Sequence, residues 1–405
     1  MKKLELLAPA GNLQKLNRAF YFGADAVYIG GKEFSLRSFA DNFNLGDMKD
    51  AVEIAHKKNK KVYVTVNILA RNGDFAALSD YFKELSAIGV DAVILSDAGV
   101  ISLCRKVAPE LGVHISTQAS VLNAYSAKFW AEIGAERIIL ARELSLDEIK
   151  EIREKLIDDV ELEAFCHGAM CISYSGRCLL SDYFTGRSSN RGECVQACRW
   201  NYEIRESSTD GEFYPIEEDG RGTYILNSKD LNMIDYLDKM IDAGVTSFKI
   251  EGRMKTEYYV ATVVNAYRRA LDEYCRVGSA YKNDPLYRNE LLKTSHRAFT
   301  TAYALGSNFE TVNYNDTQSF GDRTFTALVK GYDEENCVAC IEMRNRFFEG
   351  DELELLTPYD NLNAKVVVKN LKNRIGENIF DAKIVQEKLF FDCKEKLHVG
   401  DILRK

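Results

Sequence analysis

Along most of this 405-residue chain, short apolar runs alternate with longer segments whose apolar residues recur at helical spacing. GADAVYIG at 23–30, GVDAVILS at 89–96, GAERIILA at 134–141 and GVTSFKIE at 244–251 share one phrase, a glycine followed by an apolar run. That is the pattern of a helix end leading into a strand. LQKLNRAFYF, MKDAVEIAHKKN, LSDYFKELSAI, AYSAKFWAEI and LDEIKEIREKL each present a single apolar face. With LELLAPA, KVYVTVN, VHISTQ and LEAFCHGA the pattern predicts eight strands, near 4–10, 26–31, 61–67, 92–97, 113–118, 137–142, 162–169 and 246–252. Strands alternating with helices in that number predict an α/β protein, a (β/α)8 TIM-like barrel. A doubly wound open sheet is the alternative.

The texture changes near residue 317. TFTALVKGY, CVACIEMRN, DELELLTP, AKVVVKNL and LFFDCKE are short apolar strands divided by Gly, Asp and Asn turns, which predicts a small all-β barrel over 317–405. The expected organisation is a catalytic barrel over 1–280, a linker over 281–316 and this module. The barrel carries a cysteine-rich insertion, 171–228, between its seventh and eighth strands.

In such a barrel the chemistry sits at the C-terminal strand ends and the loops after them. Polar residues gather there: Asn67, Ser116, Gln118, Arg142, His167, Glu251 and Arg253. The insertion starts at the same mouth, directly after the seventh strand. Five of the ten cysteines, Cys166, Cys171, Cys178, Cys194 and Cys198, fall within thirty-three residues. A thiolate set of this kind suits soft metals, either an iron–sulfur cluster or tetrahedral zinc. Cys104, Cys275 and Cys393 stand alone, and Cys337 with Cys340 reads as strand interior.

The compartment bears on those thiols. Glu5 interrupts the N-terminal apolar run and no stretch reaches the roughly 18 apolar residues of a membrane span, so a cytoplasmic protein without a membrane segment is expected. In a reducing cytosol clustered cysteines bind metal more often than they form disulfides. The net charge of −8 excludes a uniform coat of nucleic acid and leaves room for local basic patches. Arg187, Arg191, Arg199 and Arg205 make one, against Glu193 and Glu203. KVVVKNLKNR at 365–374 makes another, with Lys365, Lys369, Lys372 and Arg374 and no acid.

The run EAFCHGAMCISYSGRC resembles the signature of the collagenase-like peptidases, family U32. Glu163, Phe165, His167, Gly168, Met170, Cys171, Ser175, Gly176 and Cys178 occupy its places. The resemblance extends to LLAPAGN at 6–12, FSLRSFADNF at 34–43, LNSKDL at 226–231 and KIEGRMKTEYYVATVVNAYRRALD at 249–272. It implies a 4Fe-4S cluster on Cys171, Cys178, Cys194 and Cys198, with Cys166 an alternative fourth ligand. It also implies oxygen-independent hydroxylation of tRNA, giving 5-hydroxyuridine at the wobble position with prephenate as hydroxyl donor. The partners it implies are tRNA and a prephenate-like carboxylate. On that reading Asn67, His167 and Glu251 are the catalytic candidates. Arg37, Gln118, Arg142 and Arg253 are the substrate-binding ones, since arginine suits a carboxylate bidentately.

Two other readings stand beside it. A peptidase needs a thiolate with an oriented histidine, and the adjacent Cys166 and His167 make a poor dyad because neighbours on a strand face opposite ways. Neither HExxH nor GxSxG occurs. A cluster-bearing accessory scaffold would need the four thiolates but not Asn67, His167 or Glu251, and a partner protein would then complete the site.

Overall fold

The computed structural model describes residues 3–36, 41–157, 159–200, 218–219, 222–223, 228–306 and 319–405. Arg37, Arg205, most of the insertion beyond residue 200 and residues 307–318 lie outside the described residues.

The first seven strands and six helices alternate. They are β1 (Glu5–Pro9), α1 (Leu13–Tyr21), β2 (Ala26–Gly30), α2 (Leu45–His56), β3 (Lys61–Thr65), α3 (Phe75–Ile88) and β4 (Ala92–Leu95). Then come α4 (Ala98–Val107), β5 (Gly112–Ile115), α5 (Ala124–Glu132), β6 (Arg137–Ile139), α6 (Leu146–Lys155) and β7 (Glu161–Ala169). The insertion holds α7 (Leu180–Thr185) and a short hairpin of β8 (Glu218–Asp219) and β9 (Gly222–Thr223), and β10 (Asp230–Asn232) follows it. Helix α8 (Leu237–Asp242) leads into β11 (Ser247–Ile250). β11 runs parallel to both β7 and β1, so eight parallel strands close into a ring and the open-sheet alternative falls. Such a ring has helices outside and packed side chains inside, which is why β2 and β4 are buried at every position.

Side-chain caps start the helices where the sequence offers them. Asn12, Asp97 and Asn123 cap α1, α4 and α5, while Asn44 with Asp47 and Ser145 with Glu148 form capping boxes on α2 and α6. One strand end departs from the sequence pattern. The strand expected to run to Gln118 stops at Ile115, because Ser116 accepts from the Gln118 N–H and turns Thr117–Ala119 into a 3-10 turn.

After β11 comes the long helix α9 (Glu257–Val277). The span read as a linker carries α10 (Pro285–Leu292), capped by Asp284 with proline in its first turn, and β12 (Phe299–Thr300), which lies beside β10. The C-terminal module contains β13 (Phe325–Asp333), β14 (Val338–Met343), β15 (Phe347–Phe348), β16 (Glu352–Leu356) and β17 (Lys365–Val367). It continues with β18 (Lys369–Lys372), β19 (Asp381–Ala382), β20 (Lys388–Asp392) and β21 (Ile402–Arg404). Seven of these form an antiparallel sheet in the order β17-β16-β21-β13-β14-β20-β18, a nearly closed barrel, and β15 pairs with β19. Leu328, Leu356 and Ile402 pack into the apolar core of the large barrel. Arg404, fully buried, joins the two parts by donating to Glu290 of α10 (2.7 Å), Glu354 (2.8 Å) and Asn363 (2.7 Å). Among the described residues no helix is long and apolar enough to cross a membrane.

Candidate active site at the barrel mouth

Alternation along β11 sends Ser247, Lys249 and Glu251 to the barrel interior. The floor is ionic. Arg137 of β6 donates to Glu5 (2.5 Å), Glu163 (3.0 Å) and Ser247 (3.2 Å), and Tyr63 donates to Glu5 (2.7 Å). Lys249 Nζ donates to Glu163 (2.7 Å). Burial alone would push the Glu5 carboxyl up. The Arg137 charge, with hydrogen bonds from Arg137, Tyr63 and Ser247, outweighs it and holds that carboxyl below its ordinary range.

Above this floor lies a cavity of about 160 Å3. Asn67, Gln118, Arg142, Glu251 and Arg253 all line it. Glu251 accepts from the Tyr28 hydroxyl (3.0 Å), and burial followed by the Glu251 charge pushes that phenol well above its ordinary range. Arg253, buried, donates to Ser35 (2.8 Å) and Thr65 (3.0 Å). It passes so close to β2 that a Cβ on Gly30 would collide with its Nη1, so the strand must end in glycine there. The Arg142 guanidinium stacks 3.7 Å from the Phe165 ring and donates to the Ala169 carbonyl (2.8 Å). Asn67 Oδ1 accepts from Leu36 N–H (3.4 Å), and its amide donates to Ser116 (3.5 Å).

The insertion forms the roof. Cys171, Cys178, Cys194 and Cys198 line the same cavity. Local hydrogen bonds fix the loop that carries them. Glu143 accepts from Ser175 N–H (2.6 Å) and Oγ–H (2.8 Å), and Ser175 itself takes a left-handed φ of 47°. The Cys178 carbonyl accepts from Ser189 (2.6 Å) and Asn190 (2.8 Å). Arg191 ties the far side to Asp74 (2.9 Å) and to the Leu69 carbonyl (3.0 Å). Burial pushes the Cys198 thiol up to about 11, and Cys171, Cys194 and Cys178 stand near enough to add to that. Among the described residues no three His, Cys, Asp or Glu side chains converge on one ion position.

His167 stands apart from this set. By alternation it should follow Glu163 and Phe165 into the barrel. The β7–β11 register steps from Lys249↔Phe165 to Ile250↔His167, so Cys166 is an extra residue that turns His167 to the outer face. There it packs among Tyr259, Tyr267 and Phe299, its Nδ1 3.5 Å from the Tyr267 hydroxyl, and burial pushes its pKa down to about 3. Cys166 is fully buried outside the cavity lining, with its thiol pushed well above the ordinary range by burial. Arg37 lies outside the described residues.

Sequence reasoning missed Tyr28, Glu143 and Lys249. Lys249 had a usable signal, a lone charge in the apolar run SFKI; Tyr28 and Glu143 had none. The outer side of the roof exposes Leu179, Tyr183, Phe184 and Trp200, with Arg187 and Arg199 on the same segment. Rings and arginines together make a surface for stacking.

The family model described as Peptidase family U32 matches residues 11–313, and Peptidase family U32 C-terminal domain matches 322–404. The chain is 42% identical over 413 residues to tRNA hydroxylation protein P1 of Bacillus subtilis, covering 100% of this chain and 95% of that protein. It is 37% identical over 424 residues to tRNA hydroxylation protein P of Haemophilus influenzae, covering 93% and 90%. A 23S rRNA 5-hydroxycytidine synthase of Escherichia coli is 34% identical over 383 residues, covering 93% of this chain and 55% of that protein.

Proposed function

This chain belongs to peptidase family U32, and from that premise we propose that it is an enzyme that hydroxylates tRNA. Relatives matching nearly its whole length are named for tRNA hydroxylation, and another is named for a 5-hydroxylated pyrimidine in RNA. The observation that carries the reading is one cavity lined both by four cysteines and by polar groups from several strand ends. We propose 5-hydroxyuridine at the wobble position as the product. An anticodon-loop base is unpaired and can be turned out into a pocket.

The finer chemistry rests on the chain's own groups. Cys171, Cys178, Cys194 and Cys198 line one cavity, and this four-thiol set would hold a 4Fe-4S cluster there. When bound it would supply one-electron chemistry at the cavity rim. Arg142 and Arg253 give the cavity cationic groups for a carboxylate hydroxyl donor of the prephenate type. Replacing C5–H by C5–OH is a two-electron oxidation: the hydroxyl donor would have to supply the oxygen and take up the two electrons, and Glu251, oriented by Tyr28, is the carboxylate placed to take the C5 proton.

The geometry gives little support to a thiol peptidase, because the Cys166 thiol is buried away from the cavity and held protonated by burial. Nucleoside mass spectrometry of tRNA from a deletion strain tests the reading. 5-Hydroxyuridine should disappear, return with the wild-type gene, and stay absent with Cys171→Ser. Unchanged nucleosides in the deletion strain would sink it. A Glu251→Gln protein that keeps its iron yet restores the nucleoside fully would point to the accessory-scaffold reading.

A further inference from the structure

We propose that Gln118 reads the Watson–Crick edge of the target base, an inference that rests on the RNA-hydroxylase reading above. The Gln118 side chain lines the cavity at 3% exposure, and among the described residues neither its amide nitrogen nor its amide oxygen has a hydrogen-bond partner. A buried carboxamide left so is a recognition group awaiting its ligand.

Its backbone is held firmly. Ser116 Oγ accepts from the Gln118 N–H (3.3 Å), Arg177 Nε of the cysteine roof donates to the Gln118 carbonyl (2.7 Å), and the neighbouring Thr117 hydroxyl donates to the Leu140 carbonyl (3.0 Å). The 3-10 turn that ends β5 early is therefore what aims the amide. Gly176 lies near it in the left-handed region, φ 82°, and a Cβ there would sit at ordinary contact distance, 3.9 Å, from Nε2.

The unmet pair of atoms defines the ligand. A carboxylate offers acceptors only and would satisfy Nε2 while leaving Oε1 unpaired. A nucleobase edge presents a donor beside an acceptor. In uracil, N3–H gives to Oε1 and O2 accepts from Nε2, and the C5–C6 edge then faces directly away from the amide. Gln118 thus acts as a specificity-determining residue that presents C5 to the other groups of the cavity.

The test uses the whole protein and two anticodon stem-loops, one with uridine and one with 3-methyluridine at the target position. The methyl group removes the N3–H and leaves the ring otherwise intact. Wild-type protein should bind the methylated loop at least about 30-fold more weakly, the size expected where a buried group loses its hydrogen-bond partner. Gln118→Met should bind both loops alike, near the weaker wild-type value, because the two changes remove one interaction and their effects cannot add. Iron content and melting temperature equal to wild type would show that the variant is folded. If Met is not tolerated, Gln118→Leu, which likewise offers neither donor nor acceptor, serves the same comparison. Full discrimination retained by the variant, or none by the wild type, overturns the proposal. If wild-type protein neither binds nor hydroxylates the unmodified loop, the RNA reading itself falls, and this inference with it.

Discussion

Lys249 Nζ lies 2.7 Å from Glu163 Oε1 across the β7–β11 seam, and the two side chains are almost completely enclosed. Glu163 also accepts from Arg137 (3.0 Å), so removing Lys249 leaves that carboxylate a cationic partner and costs less than the about 3–5 kcal/mol of a stranded buried charge.

Lys249→Met should therefore lower the unfolding free energy in urea, by less than about 3 kcal/mol. Adding Glu163→Gln should recover part of that loss. A double variant less stable than the sum of the single changes would contradict the pairing.

Acid stability should report on His167. Burial holds its pKa at about 3 against an ordinary 6.5, so unfolding takes up a proton between those values. The stability involved is complete above pH 6.5 and is lost as pH falls toward 3, with a slope of at most about 1.4 kcal/mol per pH unit. His167→Phe, which suits the ring cluster around it, should flatten the melting curve between about pH 6 and 4 by that slope. Identical slopes for the two proteins would mean that His167 is not held neutral in the fold.

Anaerobically purified protein should carry about four irons per chain, and serine at Cys171, Cys178, Cys194 or Cys198 should abolish or sharply lower that content. Serine at Cys104 or Cys393 should leave it unchanged. Those two thiols are buried elsewhere, each pushed up to about 11 by burial. Stoichiometric zinc without iron would reject the cluster.

The two basic and aromatic surfaces should respond differently to salt. Neutralising Lys365, Lys369, Lys372 and Arg374 should weaken tRNA binding at low salt and flatten the log–log salt slope by about 0.7–0.9 for each phosphate that is no longer neutralised. Lys365 already pairs with Glu352 (2.8 Å) and should contribute least. Tyr183→Ala and Trp200→Ala should weaken binding at every salt concentration, because stacking is not screened. Filter-binding titrations across a salt series separate the two, and an unchanged slope in the lysine variant would remove the β module from the RNA surface.

Much of the barrel was legible because a parallel strand must be apolar on both faces and its preceding helix must stop, so GADAVYIG and its echoes announce themselves. The same phrases could not show where alternation breaks. Cys166 is an extra residue only in register with β11, a fact about hydrogen bonds across the seam, so His167 reads as inward in the sequence and packs outward in the fold. Gln118 is similar: VHISTQ looks like strand to its end, and only the Ser116 cap shows that it turns. Cysteine spacing indicated a shared site but not that its loop roofs the polar strand ends. The basic run 365–374 spans both edges of the C-terminal sheet, β17 and β18, where charge also guards against edge-to-edge pairing.

The cysteine-bearing excursion leaves from β7 and returns on β11, and those strands are hydrogen-bonded to each other along their length. Its two ends are thus brought together by the barrel, and the entropy of closing that long loop is met by strand pairing and core burial rather than by metal–sulfur bonds. Small metal-nucleated domains work the other way, remaining unfolded until the ion arrives. Here strand pairing joins the two ends of the excursion, so the barrel's melting transition should persist when any cofactor is removed.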